Sequence, residues 1–252
     1  MRTPLREPTP TNSLQYLKSI FPKNSVVDTF LFFGGTLEFA LAQSDHIVRT
    51  HTNRYVIYEF WHCIREDPER VIQLINHFHE RRHEVTTQLL QERWWSLKDQ
   101  YVRAAMFFLL SAYSSNAQPS SGKLNFQNFN PVMLNRLRTC SFENLRINFY
   151  TDEDFLSGID YLEGGEFLVL PIGKYSYNLF EDGKSYGPEE TVISHVETKL
   201  KIDQYDGKAI VIYKPHKEVF KLYENYNITM LDKYGRQCEQ YRTCEELIIA
   251  NF

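Results

Sequence analysis

Residues 26–36 read VVDTFLFFGGT, and this stretch decides the fold class that the sequence predicts. Val26–Phe30 is an apolar, β-branched run of the kind that forms a buried strand. Gly34 and Gly35 follow it and permit a tight turn before a helix that begins near Thr36. A strand, a glycine turn and a helix start form a nucleotide-binding geometry, although many strand–helix turns use two glycines for closure alone.

Apolar runs alternate with amphipathic segments on both sides of this stretch. Strands are predicted at 26–30, 46–50, 145–150, 167–170, 209–213, 228–231 and 247–250, and helices at 13–21, 36–43, 54–65, 67–83, 85–113 and 219–225. The alternation predicts an α/β fold with a mainly parallel, Rossmann-like sheet. We expect a flexible arm at 1–12, one sheet domain formed by 13–53 and 141–252, and a helical insertion at 54–140.

The composition is that of an ordinary globular protein, with 42% hydrophobic and 24% charged residues and a net charge of −4. This charge argues against a strongly basic nucleic-acid binder but allows a local basic face. The four cysteines, Cys63, Cys140, Cys238 and Cys244, form no C-x-x-C pair and suit a reducing compartment. No secretory leader is recognised, and the longest apolar run, 104–110, is too short to cross a bilayer. The sequence therefore predicts an intracellular protein, cytoplasmic or nuclear, with no membrane partner.

Residues 79–83, HERRH, match the H-E-x-x-H pattern, in which two histidines one helical turn apart bind zinc. The flanking residues are polar and rich in arginine, and no third ligand follows at a recognised spacing. Arg81 and Arg82 would also repel a bound cation. A solvated helix face is the favoured interpretation, so no metal site is expected.

The block 54–140 is basic, with eleven Arg and Lys residues against eight Asp and Glu residues, a net charge of +3. Such a face is compatible with phosphate contacts, and it is equally compatible with an ordinary solvated helical surface. Trp94 and Trp95 are interpreted as core residues rather than as a base-stacking platform. The candidate DNA-binding residues of this block are Arg81, Arg82, Arg93, Lys98, Lys123, Asn125, Arg136 and Arg138.

Several short segments carry a resemblance that runs across nearly the whole chain. They are FGGTLEFAL at 33–41, HTN at 51–53, IREDP at 64–68, WWSLK at 94–98, AAMFFLL at 104–110, GKLN at 122–125, DF at 154–155, FLVL at 167–170 and ELIIANF at 246–252. In order and spacing these segments resemble motifs of the Dam-type (alpha-group) DNA adenine-N(6) methyltransferases. No single segment is specific, and their order carries the resemblance.

The resemblance implies a Rossmann-like S-adenosylmethionine methyltransferase sheet with a helical target-recognition insertion, and DNA as the partner. It also implies which residues are the vestigial contacts to the cofactor, namely Phe33, Gly34, Gly35, Asn53 and Asp154.

The sequence departs from the family at the residues that carry the chemistry. The family's D-P-P-Y tetrapeptide is implied to give a polar side chain and an aromatic ring to an everted adenine. Here the tetrapeptide is replaced by a stretch with neither an acid nor an aromatic residue: Leu170, Pro171, Ile172 and Gly173. His51 stands where the family has an acid for the ribose hydroxyls, and TNS at 11–13 replaces its Gly-Gly-Lys segment. We therefore expect no catalytic residue and no cofactor, with S-adenosylmethionine bound only if the pocket survives.

The sequence thus predicts a catalytically inactive DNA adenine methyltransferase-like protein that acts by binding DNA. Two alternatives stay open. One is a structural or regulatory subunit that binds a protein partner, such as an active methyltransferase. The other is a residual S-adenosylmethionine-dependent DNA adenine methyltransferase.

Overall fold

The structure is a computed structural model of the 252-residue chain. It describes residues 5, 12–30, 34–115, 119–120, 122–151, 155–162, 167–173, 175, 178–184 and 187–252, with the backbone alone at 155, 161, 178–184 and 187–192. The chain forms two compact units. The sheet unit comprises Pro8–Asn53, Ser141–Leu179 and Val192–Phe252, and the helical unit contains Arg54–Cys140 and Phe180–Thr191.

A seven-stranded sheet organises the sheet unit. The strands of the described residues are β1 (Val26–Phe30), β2 (Ile47–Thr52), β3 (Leu145–Phe149), β4 (Phe167–Gly173), β5 (Asn178–Lys184), β6 (Gly187–Val192), β7 (Lys208–Tyr213), β8 (Asn227–Leu231) and β9 (Glu246–Ala250). The sheet order is β3-β2-β1-β4-β7-β9-β8, and β5 pairs with β6 separately. Strand β9 runs antiparallel to both neighbours, whereas the pairs from β3 to β7 are parallel. The predicted mixed α/β class with a mostly parallel sheet is confirmed.

The central strands are buried on both faces, as the continuous apolar runs in their sequences predict. Every residue of β4 is buried, and so are Ala209 to Tyr213 of β7. The strand order reverses between β1 and β4. In open α/β sheets, ligands bind beyond the carboxyl ends of the strands at such a reversal. The carboxyl ends of β1 and β4 are therefore the expected position of a ligand site.

Helices cover the sheet and build the other unit. In the described residues, the sheet unit contains α1 (Leu14–Ile20), α2 (Thr36–Ala42), α8 (His195–Asp203) and α9 (Lys217–Leu222), and the helical unit contains α3 (Tyr55–Glu66), α4 (Pro68–Glu80), α5 (Glu84–Arg93), α6 (Gln100–Tyr113) and α7 (Val132–Arg138).

Helix α6 is the core of the helical unit. It is buried without interruption from Ala104 to Tyr113, and both α3 and α4 pack against it. A helix that is apolar on every side requires such a cover of other elements. Trp94 is buried, and its Nε1 donates to Ser120 Oγ at 3.1 Å, which confirms that this tryptophan is a core residue, whereas Trp95 is half-buried.

Helix α4 begins as its sequence predicts. Asp67 is the N-cap, and its Oδ1 accepts a hydrogen bond from the backbone N–H of Arg70 at 3.0 Å. Pro68 occupies the first helical position, where its missing N–H has no helical partner to lose.

The stretch 85–113, predicted to be largely helical, consists of two helices, α5 and α6, separated by a short 3-10 turn at Trp94–Ser96. The reason is a second start signal. Asp99 Oδ1 accepts from the backbone N–H groups of Tyr101 (2.8 Å) and Val102 (3.0 Å) and caps α6. Arg103 reaches back over the break and donates to the Lys98 carbonyl at 3.0 Å.

Helix α8 shows why some elements were not predicted. Its start signal is in the sequence, because Ser194 Oγ accepts from Glu197 N–H at 3.3 Å in an S-x-x-E pattern. Its apolar periodicity is misleading, however, since Val196 and Leu200 are 59% and 53% exposed while His195 is buried. Helix α7 and the β5–β6 hairpin were also missed.

In the part of the chain that the structure describes, none of the helices combines the length and the apolarity that a bilayer crossing requires.

Candidate functional site

The carboxyl end of β4 carries no polar side chain. Leu170 is fully buried, and the pairing of β4 with β7 shifts between Leu170 and Gly173, so that Pro171 and Ile172 form a β-bulge. Gly173 has a φ of 81°, in the left-handed region that favours glycine, and its carbonyl accepts from Lys214 N–H at 2.6 Å. This strand end therefore offers neither a side-chain acceptor for an amino group nor a ring for a base.

The nearest aromatic residue to this strand end along the chain, Tyr175, has both ring faces covered. The ring of His195 stacks on it at a centroid distance of 4.3 Å, and the ring of His216 stacks at 4.5 Å. His195 is held in place because its Nδ1 lies 2.9 Å from the buried hydroxyl of Tyr213. Tyr175 is therefore the middle ring of a His–Tyr–His sandwich, and a further planar ring could stack on it only by displacing an imidazole.

A buried charged cluster joins β1 and β2. Asp28 has no solvent-exposed surface, and it accepts hydrogen bonds from Arg49 Nε at 2.8 Å and Arg49 Nη2 at 2.6 Å. The third member, His51, has its Nε2 3.0 Å from Asp28 Oδ1. Burial alone would raise the pKa of Asp28, but the hydrogen bonds from His51 and Arg49 outweigh it and hold the pKa below its usual value.

His51 is also fixed by an aromatic contact. Its ring stacks on Phe30 at 4.7 Å with the planes 13° apart. A 3-10 turn, Phe155–Tyr161, packs against the same phenyl ring. The approach is so close that a Cβ added at Gly158 would lie 2.7 Å from Phe30 Cε1. The His51 imidazole, at the position where the resemblance implies a ribose-binding acid, is thus bound to Asp28 and stacked on Phe30.

The described part of the glycine turn, Gly34 and Gly35, leads directly into α2. Gly34 and Gly35 are buried, and Gly35 has a φ of 75° just before α2 begins. Asn53 is half-buried and directly follows β2. Two other predicted cofactor contacts, Phe33 and Asp154, lie outside the described residues.

The segment at 11–13, where the resemblance implies a Gly-Gly-Lys motif, is bound to the start of β9. The backbone N–H groups of Asn12 and Ser13 donate to the carboxylate of Glu246 at 3.0 and 2.7 Å. Glu246 is buried at the start of β9, and Lys214 Nζ lies 3.7 Å from it. We name this arrangement, Asn12 and Ser13 on Glu246, the terminal clasp.

These contacts fit S-adenosylmethionine poorly. The ribose position holds an imidazole committed to Asp28, and a single imidazole cannot accept two hydroxyl hydrogen bonds in one fork. The backbone implied to meet the methionine is bound to Glu246. The described residues that remain suited to the cofactor are Gly34, Gly35 and Asn53, and no reaction step follows from them.

In the helical unit, part of the predicted DNA-binding set lies together. The rings of His79 (C-terminal part of α4) and Phe129 (loop 122–130) are 4.0 Å apart, and His79 Nδ1 is 2.7 Å from Tyr113 OH. The Arg82 guanidinium lies 5.8 Å from the Phe126 ring in the same loop. Arg81 follows the helix directly, and its Nη1 is 2.7 Å from His77 Nε2.

These contacts bring α4's C-terminal end and the loop 122–130 to one surface. We name it the basic corner and define it by four exposed residues: Arg81, Arg82, Lys123 and Asn125. Asn125 also orders the loop, since its Oδ1 accepts from Gln127 N–H at 3.0 Å.

The remaining predicted DNA-binding residues are distributed differently. Arg138 pairs with Glu69 at the start of α4 through bonds of 2.6 and 3.1 Å. At a rise of 1.5 Å per residue, this end of α4 is about 18 Å from its C-terminal end, so Arg138 lies away from the basic corner. Arg136, on the same helix as Arg138, is half-buried, whereas Arg93 and Lys98 are exposed at the two ends of the turn after α5.

The H-E-x-x-H segment does not form a zinc-binding helix turn. Helix α4 ends at Glu80, and His83 is the N-cap of α5, so the two histidines do not share one continuous helix. His79 is also engaged by Tyr113 and Phe129. Among the described residues, no three or more His, Cys, Asp and Glu side chains are grouped so that they could hold a metal ion.

Comparison of the chain with protein-family models and with curated proteins gives no match.

Proposed function

We propose that this chain is a degenerate relative of the DNA adenine-N(6) methyltransferases that has lost methyl transfer and works by binding DNA. The observation that carries the proposal is at the end of β4. Where the family is implied to hold an everted adenine, this chain has a buried leucine and a tyrosine already stacked between two histidines.

The sheet topology supports the Rossmann-like part of this proposal. Numbered by sequence among themselves, the seven strands of the main sheet follow the order 3-2-1-4-5-7-6. This is the doubly wound order 3-2-1-4-5-6 with one reversed strand, β9, inserted beside the last. Function is not implied by the fold alone, so the proposal rests on the site.

Loss of methyl transfer follows from chemistry at Leu170. Transfer to an exocyclic amino group needs acceptors for its hydrogens, which raise the electron density on the nitrogen. A leucine side chain has no acceptor, and the bulge places Pro171 and Ile172 next to it. A base that entered here would also lack a free aromatic face for stacking.

DNA binding is supported by the basic corner. Three exposed cations, Arg81, Arg82 and Lys123, lie beside an ordered loop that also presents Asn125. Such cations contact phosphates, and their number sets how steeply affinity falls with salt. The amide of Asn125 adds the donor and acceptor pair that can read a base edge.

The test is fluorescence anisotropy with a labelled duplex over a range of salt concentrations. The double variant Arg81→Ala/Arg82→Ala should bind about tenfold more weakly at low salt, and its slope of log affinity against log salt should fall by about 2. The matched control is Lys233→Ala/Arg236→Ala, which removes the same charge from exposed residues of the sheet unit. Equal losses for both variants, or no binding at low salt, would refute DNA recognition by the basic corner.

The second arm tests methyl transfer directly. The protein is incubated with labelled S-adenosylmethionine and adenine-containing DNA, and we expect no incorporation above background. Robust incorporation would overturn the loss of activity and favour the residual-enzyme alternative. Co-purification with an active methyltransferase, without binding to DNA, would favour the regulatory-subunit alternative.

A further inference from the structure

A cleft at the amino edge of the sheet lies apart from the residues implied to contact the cofactor and from the basic corner. Its volume is about 810 Å³, and it is lined by residues 22–24, the first residue of β4, residues 205–208 and residues 251–252. We infer that this cleft binds a small phosphorylated ligand that carries a planar ring, of which a nucleoside monophosphate is the simplest example.

Two lysines give the cleft its charge. Lys23 and Lys208 are exposed, and no ion pair to either is seen among the described residues. Lys208 Nζ lies 5.2 Å from the ring of Phe167 and 5.6 Å from the ring of Phe252, so two aromatic rings are within cation–π distance of the ammonium group. Asp206 is the one acidic side chain of the lining, and the carboxyl group of Phe252 is bound by Asn227 Nδ2 at 2.6 Å, so lysine side chains outnumber acidic side chains in the cleft.

An exposed ring supplies the second element of recognition. Phe252 is 45% exposed, and it meets the buried Phe167 edge-on, with centroids 5.9 Å apart and planes 70° apart. Phe167 is itself packed on Phe21 at 4.6 Å, so the support beneath Phe252 is rigid. A planar base can stack on the open part of the Phe252 ring while its phosphate meets the lysines.

The rim of the cleft is ordered by its own hydrogen bonds. Ser25 Oγ donates to the Pro22 carbonyl at 2.7 Å, and Asn24 between them adopts a φ of 60°. On the other side, the Asn251 side chain accepts from Ala209 N–H at 2.8 Å and donates to the Gly207 carbonyl at 3.0 Å. A rim formed in advance lowers the ordering cost of binding a small ligand.

Isothermal titration calorimetry of the full chain with AMP, adenosine and inorganic phosphate tests this inference. AMP should bind saturably, and phosphate alone or adenosine alone should bind about tenfold more weakly, because each uses only half of the recognition. Lys208→Ala and Phe252→Ala should each weaken AMP binding about tenfold. Lys217→Ala on α9 is the matched control for charge, and it should leave AMP binding unchanged.

Two outcomes would overturn the inference. One is the absence of saturable AMP binding up to about 5 mM ligand, beyond the millimolar range in which weak sites still register. The other is AMP binding that survives Lys208→Ala and Phe252→Ala but is lost in His51→Ala, which would assign the ligand to the carboxyl edge. Circular dichroism checks that each variant is folded, and the result does not depend on whether DNA binds.

Discussion

The carboxyl edge of the sheet and the basic corner of the helical unit use similar residues in opposite ways. At the sheet edge, Arg49 and His51 are bound to buried Asp28. At the basic corner, Arg81 and Arg82 are exposed. The difference teaches that residue type alone does not identify a site: a cation that neutralises a buried carboxylate is already used, and one at the surface can still meet a ligand.

Of the substitutions that test this comparison, one at Asp28 is expected to change the free energy of unfolding most. Asp28→Asn keeps the shape of the side chain but removes the charge that Arg49 and His51 meet, and it should lower the free energy of unfolding by about 3 kcal/mol. Urea unfolding followed by circular dichroism measures the change.

The matched control for Asp28→Asn is Glu69→Gln in the helical unit. Glu69 forms a two-bond pair with Arg138, but both side chains are largely exposed, so no measurable change is expected. If Glu69→Gln destabilised the protein as much as Asp28→Asn, burial would not be what separates the two regions.

An intermediate effect is expected at the His–Tyr–His sandwich. His216→Ala opens one face of Tyr175 and also removes the side chain that caps α9 by accepting from Glu218 N–H at 3.3 Å, so it should lower the free energy of unfolding by about 1 to 2 kcal/mol. The control is His62→Ala, whose exposed ring stacks on Tyr58 at the longer distance of 5.9 Å. A larger loss for His62→Ala than for His216→Ala would contradict the importance given to the sandwich.

The smallest expected effect is a difference in pH dependence. Burial, and to a smaller extent Arg82, lower the pKa of His79, so its stabilising contribution is present above the unfolded-state pKa near 6.5 and is lost as the pH falls. Asp28 also has a lowered pKa, but its contribution is present above the usual carboxylate value and is lost only in stronger acid. Between pH 7 and pH 5 the helical unit should therefore respond through His79, whereas the carboxylate of Asp28 stays ionised.

His79→Gln tests this separation. The variant should show a shallower fall in unfolding free energy from pH 7 to pH 5 than the original chain. Part of the fall should remain, because burial also lowers the pKa of His46 in the sheet unit. An unchanged pH profile in His79→Gln would show that His79 titrates alike in the folded and unfolded states.

Much of the fold could be predicted because local signals agreed with the tertiary structure. The run that forms β1 is apolar and β-branched, and Asp67 with Pro68 marks the start of α4. Helix α8 escaped prediction because its exposed positions are apolar and its buried positions include His195. The spacing of apolar residues does not predict a helix where the buried positions are polar and the exposed positions are apolar.

The contacts of the candidate site were less predictable. The sandwich joins Tyr175, His195 and His216, which are distant in sequence and meet only because three connections reach the same edge of the sheet. Asp28 did leave a signal, since an acid inside a strand buried on both faces requires a partner. The exact pairing register of β1 and β2, which places Asp28 beside Arg49, could not be derived from the sequence alone.

The terminal clasp has a consequence for synthesis on the ribosome. Ser13 and Glu246 are 233 positions apart, and β9, which carries Glu246, lies between β7 and β8 in the sheet. Until β9 has been translated, β7 has an unpaired edge and β8 has no place to dock. From the completion of β7 at Tyr213 until β9 is made at Glu246–Ala250, the nascent chain must therefore carry an open, apolar strand edge, and this late interval exposes it to aggregation and to chaperones.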